Sequence, residues 1–325
     1  MQLTRAPSVV PLTRWQRPAQ HAALQDALHS TARIDKSWTI ASFSRLTRDL
    51  SSQPVLQSAW HMATPRPADD EPVVDEVALP ASAVLAPWHS FARGPSAGNF
   101  LHDQLEWLAA DHFALQPGTP QAERLAKRCE RAGYKAQAAD VVQWLARVVA
   151  QPLRGPDAPL NALGTLLPEM EFWLPAARLH AKEVDALCRQ HLLPGVSRPQ
   201  LPEAQLHGML MGFADLVFEH EGRYWVLDYK SNHLGPDDAA YTDAALAHSM
   251  AEHRYDVQAS LYLLALHRLL QARLGSAYEP ARQLGGAVYL YLRGVHGPER
   301  GVCQIAPNLA LLGALENMLA PVPEA

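Results

Sequence analysis

Asp215, Asp228 and Lys230 are the three residues whose types and spacing could do chemistry together. They lie in the stretch GMLMGFADLVFEHEGRYWVLDYK, from Gly208 to Lys230. Two carboxylates brought side by side suit a hard divalent cation such as magnesium, which keeps several waters and takes one or two carboxylates plus a substrate phosphate. A lysine beside them can orient a water and offset charge that builds on phosphorus. Taken alone, a D-x-K triplet reads as an ion pair at a sheet edge. The preceding aspartate, placed at hairpin spacing, changes that reading.

The elements that must position these groups can be read from the same stretch. Both flanks are rich in aromatic and aliphatic residues, while Glu219 to Arg223 is a polar break with Gly222 available for an unusual backbone angle. Two antiparallel strands are expected. Side chains alternate along a strand, so Asp228 and Lys230 share a face and the turn brings Asp215 to the neighbouring strand on that face. Downstream, Gln258 and Tyr262 are i and i+4 neighbours on a helix whose Leu261, Leu264, Ala265 and Leu269 are expected core contacts. A polar pair on a buried helix face needs partners. Gly285 to Leu292 is a nearly continuous apolar run, as in an interior strand, and a strand reached through a helix is expected to be parallel.

The order Gly212-x-x-Asp215, Asp228-Tyr229-Lys230 and Gln258-x-x-x-Tyr262 resembles the RecB-type branch of the PD-(D/E)xK nuclease superfamily. GNFLH at 98–102, EMEFWLP at 169–175, HEGRY at 220–224, DYKSN at 228–232 and LYLRG at 290–294 extend the resemblance, in order, over roughly residues 90 to 320. It implies an α/β, restriction-endonuclease-like core: a mixed sheet flanked by helices, with an N-terminal helical region and an extended tether. It also implies a site in which Asp215, Asp228, His102 and the backbone carbonyl of Tyr229 hold Mg2+. Lys230 would assist the nucleophile, and Gln258 and Tyr262 would position the lysine, the water or the DNA backbone. Glu169 falls where related nucleases often carry an acid on the first strand; Glu171, two residues on, is expected to face the same way. The implied activity is phosphodiester hydrolysis, with single-stranded DNA as substrate and RecC-like and RecD-like partners. The competing reading is a non-catalytic nuclease fold kept as a scaffold or as a dock for a RecA-like recombinase; the retained Asp215, Asp228 and Lys230 count against it, because a scaffold has no need of that buried charge.

Composition agrees with one catalytic domain and a loose leader. The chain has 325 residues, 48% of them hydrophobic, and 8 Trp, which is ample material for a core. Its 3 Cys (Cys129, Cys188 and Cys303) have no C-x-x-C spacing, which argues against a zinc site and for a reducing cytoplasm. No apolar run approaches membrane-spanning length, and the N-terminus lacks a charged-then-apolar signal pattern. A formal charge of -5 is not that of a protein gripping duplex DNA unaided, so dependence on a larger assembly is expected. Lys230, Arg254, Arg268 and Arg293 are candidates for a local basic path.

Residues 1–48 resemble the tail of a helicase portion that precedes such nuclease domains, residues 49–95 read as a Pro-rich, acidic tether, and 96–325 as the nuclease domain. No G-x-x-x-x-G-K-[ST] occurs, so the phosphate cradle of a motor is missing from the sequence. Ser96 to Leu108 and Ala136 to Val149 show helical apolar spacing, with Trp107 and Trp144 expected in the core. His248 and His253 are expected to be solvated.

Overall fold

The computed structural model describes residues 38–42 and 86–319, apart from the side chains of 177 and 178. Most of the expected helicase-like remnant and tether therefore lies outside the described residues. Thr39–Ser42 (β1), Thr165–His180 (β2), Gln205–His220 (β3), Arg223–Lys230 (β4), Leu284–Tyr291 (β5) and Val302–Ile305 (β6) form one mixed sheet. β3 pairs antiparallel with β2 and β4, and parallel with β1. β4 and β5 are parallel, as a strand reached through a helix should be, and β6 closes that edge antiparallel to β5.

The hairpin between β3 and β4 turns where the polar break predicts. His220 pairs with Arg223, and the two residues between them, Glu221 and Gly222, have φ of 51° and 75°. Positive φ at both central positions gives a two-residue turn whose twist matches the strands. Glu219 strengthens it, its Oε1 accepting from the Gly222 N–H at 2.6 Å.

Helices cover both faces. Pro95–Ala109 (α2), Pro120–Arg131 (α3) and Ala138–Ala150 (α4) bury Leu101, Leu105, Leu125, Trp144 and Leu145 against Leu216, Phe218, Leu227 and Leu290 of the sheet. Ala181–His191 (α5), Tyr255–Leu274 (α7) and Leu309–Leu319 (α9) pack on the other face, with Leu210, Val226, Ala287 and Tyr289. Between them on the chain lie the shorter helices Asp243–Glu252 (α6) and Pro280–Gln283 (α8). Leu261, Leu264 and Ala265 of α7 are buried and Leu269 is half-buried against the same core, as their spacing predicts. Trp144 is also core, and its indole N–H donates to the Leu292 carbonyl at 2.8 Å. Trp107 differs: it is half-buried, with the Arg128 guanidinium 4.9 Å from its ring centroid.

The last ten residues of the expected tether are ordered. Pro87–Ser90 (α1) is a single helical turn in which Trp88 is buried, followed by buried Phe91. Arg293, fully buried, holds this strap down by donating to the carbonyls of Trp88, Phe91 and Ala92 while its Nε donates to the Ser231 carbonyl at 2.9 Å. A boundary at residue 95 overlooks these anchors because two aromatic residues and a distant arginine make no periodic pattern.

One irregularity positions the site. Leu210 and Ala214 of β3 pack with α5, α7 and α9, yet Leu216 and Phe218, at the same parity, pack with α2, α3 and α4. The pleat therefore reverses at Asp215. β2 reverses opposite it, where the ladder runs from Pro168↔Leu216 directly to Met170↔Ala214 and Glu169 has φ of 48°. Strict alternation expects each strand to keep one face throughout, and here it does not.

Candidate active site

β3 and β4 stay paired up to Leu216↔Leu227, and the next opposed residues in that register are Asp215 and Asp228. There the strands part. The Tyr229 N–H donates to Asp215 Oδ2 at 2.8 Å, a side chain taking the place of a ladder acceptor. In an extended strand the N–H and C=O of one residue project to the same edge, so the Tyr229 carbonyl also turns toward β3 and Asp215.

His102 reaches this point from α2, its Nδ1 3.2 Å from Asp215 Oδ2 and its ring edge-on to Tyr229 at 5.9 Å between centroids. Burial pushes the Asp215 carboxyl up, but His102, the Tyr229 N–H and Lys230 outweigh it and hold the group below the usual carboxylate range. Asp215 is therefore ionised at neutral pH.

Asp228 and Lys230 share a face of β4, as alternation predicts, and lie 2.7 Å apart as an ion pair whose side chains are 5% and 4% exposed. That degree of burial separates the pair from a surface contact, which would contribute little. Around it stand three tyrosines. Burial raises the pKa of Tyr262 and Tyr289 well above the ordinary tyrosine value, and the Asp228 charge pushes in the same direction, so both hydroxyls stay protonated. Gln258 links them: its Nε2 donates to the Tyr262 hydroxyl at 2.9 Å and its Oε1 accepts from the Tyr289 hydroxyl at 3.2 Å. The partners that the Gln258–Tyr262 pair needed are thus each other and a β5 residue. Tyr255, the third ring, lies directly against Lys230.

Other candidates fall elsewhere. Glu171 is exposed and accepts from the Trp173 indole N–H at 2.9 Å, whereas Glu169 is half-buried at the pleat reversal opposite Asp215. The strand changes face at Glu169, so strict alternation does not carry from one acid to the other. The basic path does not form. Arg254 and Arg293 are fully buried, Lys230 pairs with Asp228, and Arg268 pairs with Glu316 at 3.4 Å. His248 is exposed, but His253 is half-buried, stacked on Tyr255 at 5.2 Å with Asn232 beside it. Its expected solvation overlooked the ring that follows two residues later.

Comparison with known proteins decides the family. The model of the PD-(D/E)XK nuclease superfamily matches residues 81–310. The chain belongs to the PD-(D/E)XK nuclease superfamily. Similar proteins include the RecBCD enzyme subunit RecB of Escherichia coli, 42% identical over 71% of this chain and 20% of that protein. The Haemophilus influenzae subunit is 34% identical over 70% of this chain and 18% of its own length. The Mycobacterium tuberculosis subunit is 31% identical over 90% of this chain and 29% of its own. The chain thus spans about a fifth of the first two relatives. All the elements that carry His102, Asp215, Asp228, Lys230, Gln258 and Tyr262 fall inside the PD-(D/E)XK match. Strand β1 falls outside it.

Among the described residues no group of three or more His, Cys, Asp or Glu side chains stands in metal-holding geometry, and no helix is long and apolar enough to cross a membrane. Cys129, Cys188 and Cys303 are free, their thiols pushed by burial to about 11, 12 and 11.

Proposed function

We propose that this chain hydrolyses phosphodiester bonds in DNA, single strands in preference to duplex, as the nuclease portion of a RecBCD-like helicase-nuclease of double-strand break repair and recombination. The observation that carries this reading is that the His102–Asp215 and Lys230–Asp228 pairs stand at opposed positions of β3 and β4 where the strands part, within a PD-(D/E)XK nuclease match.

The donor chemistry fits a divalent cation, which PD-(D/E)XK nucleases generally use. Two carboxylates and the Tyr229 carbonyl are hard oxygen donors, and a neutral imidazole from His102 is an ordinary fourth. Magnesium is the ion proposed, and it would supply Lewis-acid charge to the phosphoryl oxygens. The residues do the rest. Asp215, which accepts from the Tyr229 N–H, brings negative charge that would hold a cation against the strand phosphates. Lys230 offsets the charge that builds on phosphorus and orients the attacking water. Tyr262 and Tyr289, fixed by Gln258, stay neutral and wall the lysine off from bulk water.

The acidic balance of the chain and the burial of Arg254 and Arg293 support work inside an assembly, with RecC-like and RecD-like subunits delivering a strand. A RecA-like recombinase is a further proposed partner, and a cytoplasmic location accompanies this set. Residues 96–325 are proposed as the nuclease domain, 49–95 as its tether and 1–48 as the end of a preceding helicase portion. That last assignment requires the preceding portion to lend the nuclease sheet its strand β1.

The test is degradation of labelled single-stranded DNA by the purified chain. Cleavage is expected with magnesium, to be lost with chelator, and to be poorly supported by calcium, whose coordination is looser. At saturating magnesium, Lys230→Gln is expected to slow single-turnover cleavage by about 10²-fold, the scale of one lost charge-stabilising donor. Undiminished cleavage in chelator would end the metal assignment, and wild-type turnover by Lys230→Gln would reduce the lysine to a structural ion pair.

A further inference from the structure

Lys230 is held from two sides. Its Nζ is 2.7 Å from Asp228 Oδ2 and 3.8 Å above the centroid of the Tyr255 ring, with the Tyr289 ring centroid at 5.7 Å. The rings form a stack. Tyr289 lies nearly parallel to Tyr255 at 5.9 Å and 18°, and His253 covers Tyr255 from another side at 5.2 Å and 21°. Tyr255 and Tyr289 are 6% and 0% exposed, so the ammonium meets the rings with little competing water. A cation over a desolvated ring face is attracted by its quadrupole, and 3.8 Å is well inside the range of that attraction.

The arrangement is built from separate elements. Tyr289 stands on β5 opposite Asp228 in the parallel ladder, and its hydroxyl is fixed by Gln258. Tyr255 is the first residue of α7, directly after Arg254, whose left-handed φ of 57° turns the chain into the helix. The Tyr255 hydroxyl accepts from Asn232 Nδ2 at 3.5 Å, while the Lys230 ammonium stands 3.8 Å from the ring centroid. What Tyr255 presents to the lysine is therefore its π face.

The geometry points to Tyr255 as a positioning residue, with Tyr289 as its support: its ring fixes the Lys230 ammonium beside Asp228, in the place from which the lysine acts on the phosphoryl group. This rests on the nuclease reading of Asp228 and Lys230 and adds to it a residue outside the Asp-Asp-Lys and Gln-Tyr motifs. A lysine has a long, flexible stem, and its use to a reaction depends on being held within a fraction of an ångström of one place. A carboxylate contact sets an ammonium's distance better than its direction, and a ring face beside it constrains the direction.

The test is single-turnover cleavage of labelled single-stranded DNA at saturating magnesium. Tyr255→Phe keeps the ring and is expected to cleave within about tenfold of wild type, the cost of a neutral hydrogen bond, and faster than Tyr255→Leu. Tyr255→Leu keeps bulk without the π face and is expected to be slower by about 30-fold, the size of one desolvated cation–π contact. Strand affinity, read by anisotropy in calcium, should be unchanged in both. Should Tyr255→Leu fail to fold, phenylalanines of increasing ring fluorination at position 255 provide the second measurement, with a rate that falls stepwise as the π face loses electron density. A flat fluorination series, or Tyr255→Leu cleaving at the wild-type rate, overturns the proposal. Asp228→Ala and Lys230→Gln run alongside separate the two claims. If both are inactive while the Tyr255 series is flat, only the positioning role is lost. If both cleave at the wild-type rate, the nuclease reading falls first.

Discussion

Asp228→Ala is expected to abolish magnesium-dependent cleavage and also to lower the stability of the fold by about 3 to 5 kcal/mol, the cost of leaving one member of a buried ion pair uncompensated. A carboxylate at a metal site is ordinarily removable without harm to the fold. Here its partner decides otherwise, because Lys230 is 3% exposed and its ammonium would lose the carboxylate 2.7 Å away while staying buried against Tyr255. The double variant Asp228→Ala/Lys230→Met separates the two effects. It removes both charges, so stability should recover by most of the loss while cleavage stays absent. Denaturant melts and cleavage assays on the two variants provide the check. If the single variant is as stable as wild type, the lysine escapes to solvent and the pair is not closed; if the double variant cleaves, Asp228 is not part of the site.

The second large effect is expected at Asp256, the residue after Tyr255. Asp256 is fully buried and takes three guanidinium contacts: Arg254 Nε at 3.1 Å, Arg254 Nη2 at 3.3 Å and Arg198 Nη1 at 2.6 Å. Arg254 bridges on to Asp185 at 2.6 Å, and Arg198 caps the carbonyls of Leu192 and Leu193 at the end of α5. This network ties α5 and the loop after it to the first turn of α7, the turn that carries Tyr255 and Gln258. Asp256→Ala leaves two arginines buried with one acid between them. We expect a loss of about 3 to 5 kcal/mol, read from a urea titration, together with slower cleavage as Tyr255 loses its anchorage. A loss under about 1 kcal/mol would mean that the arginines find water, and that the network is peripheral to the site.

These two cases also mark what the sequence could and could not reveal. The β3–β4 hairpin, the parallel β5 and the buried face of α7 were legible, because turn chemistry and periodicity act over a few residues. So was the pairing of Asp228 with Lys230, since alternation along one strand is enough to predict it. The burial of Arg254 was not, and it was grouped instead with candidates for a surface path. Its partner Asp185 comes from another helix, and burial of a charge depends on that distant anion rather than on neighbours in sequence. The reversal of the pleat at Asp215 was equally hidden. It needs a positive φ at Glu169, a residue type that gives no hint of one, and it acts through pairing across two strands. Yet this reversal is what separates Asp215 from strict alternation and sends its carboxylate to the Tyr229 N–H and His102.

Strand β1 depends on a single glycine. It reaches β3 at Gly208, where φ is 137° and a Cβ would run into the Thr39 carbonyl oxygen. No side chain can be installed at position 208 while β1 is docked, so one glycine and four residues preceding the family match are bound to one another's fate. The backbone angle alone already disfavours a side chain there, so the glycine is required twice, by its own conformation and by the strand beside it. Any larger residue at position 208 is therefore expected to undock β1 and to strain β3 at one stroke.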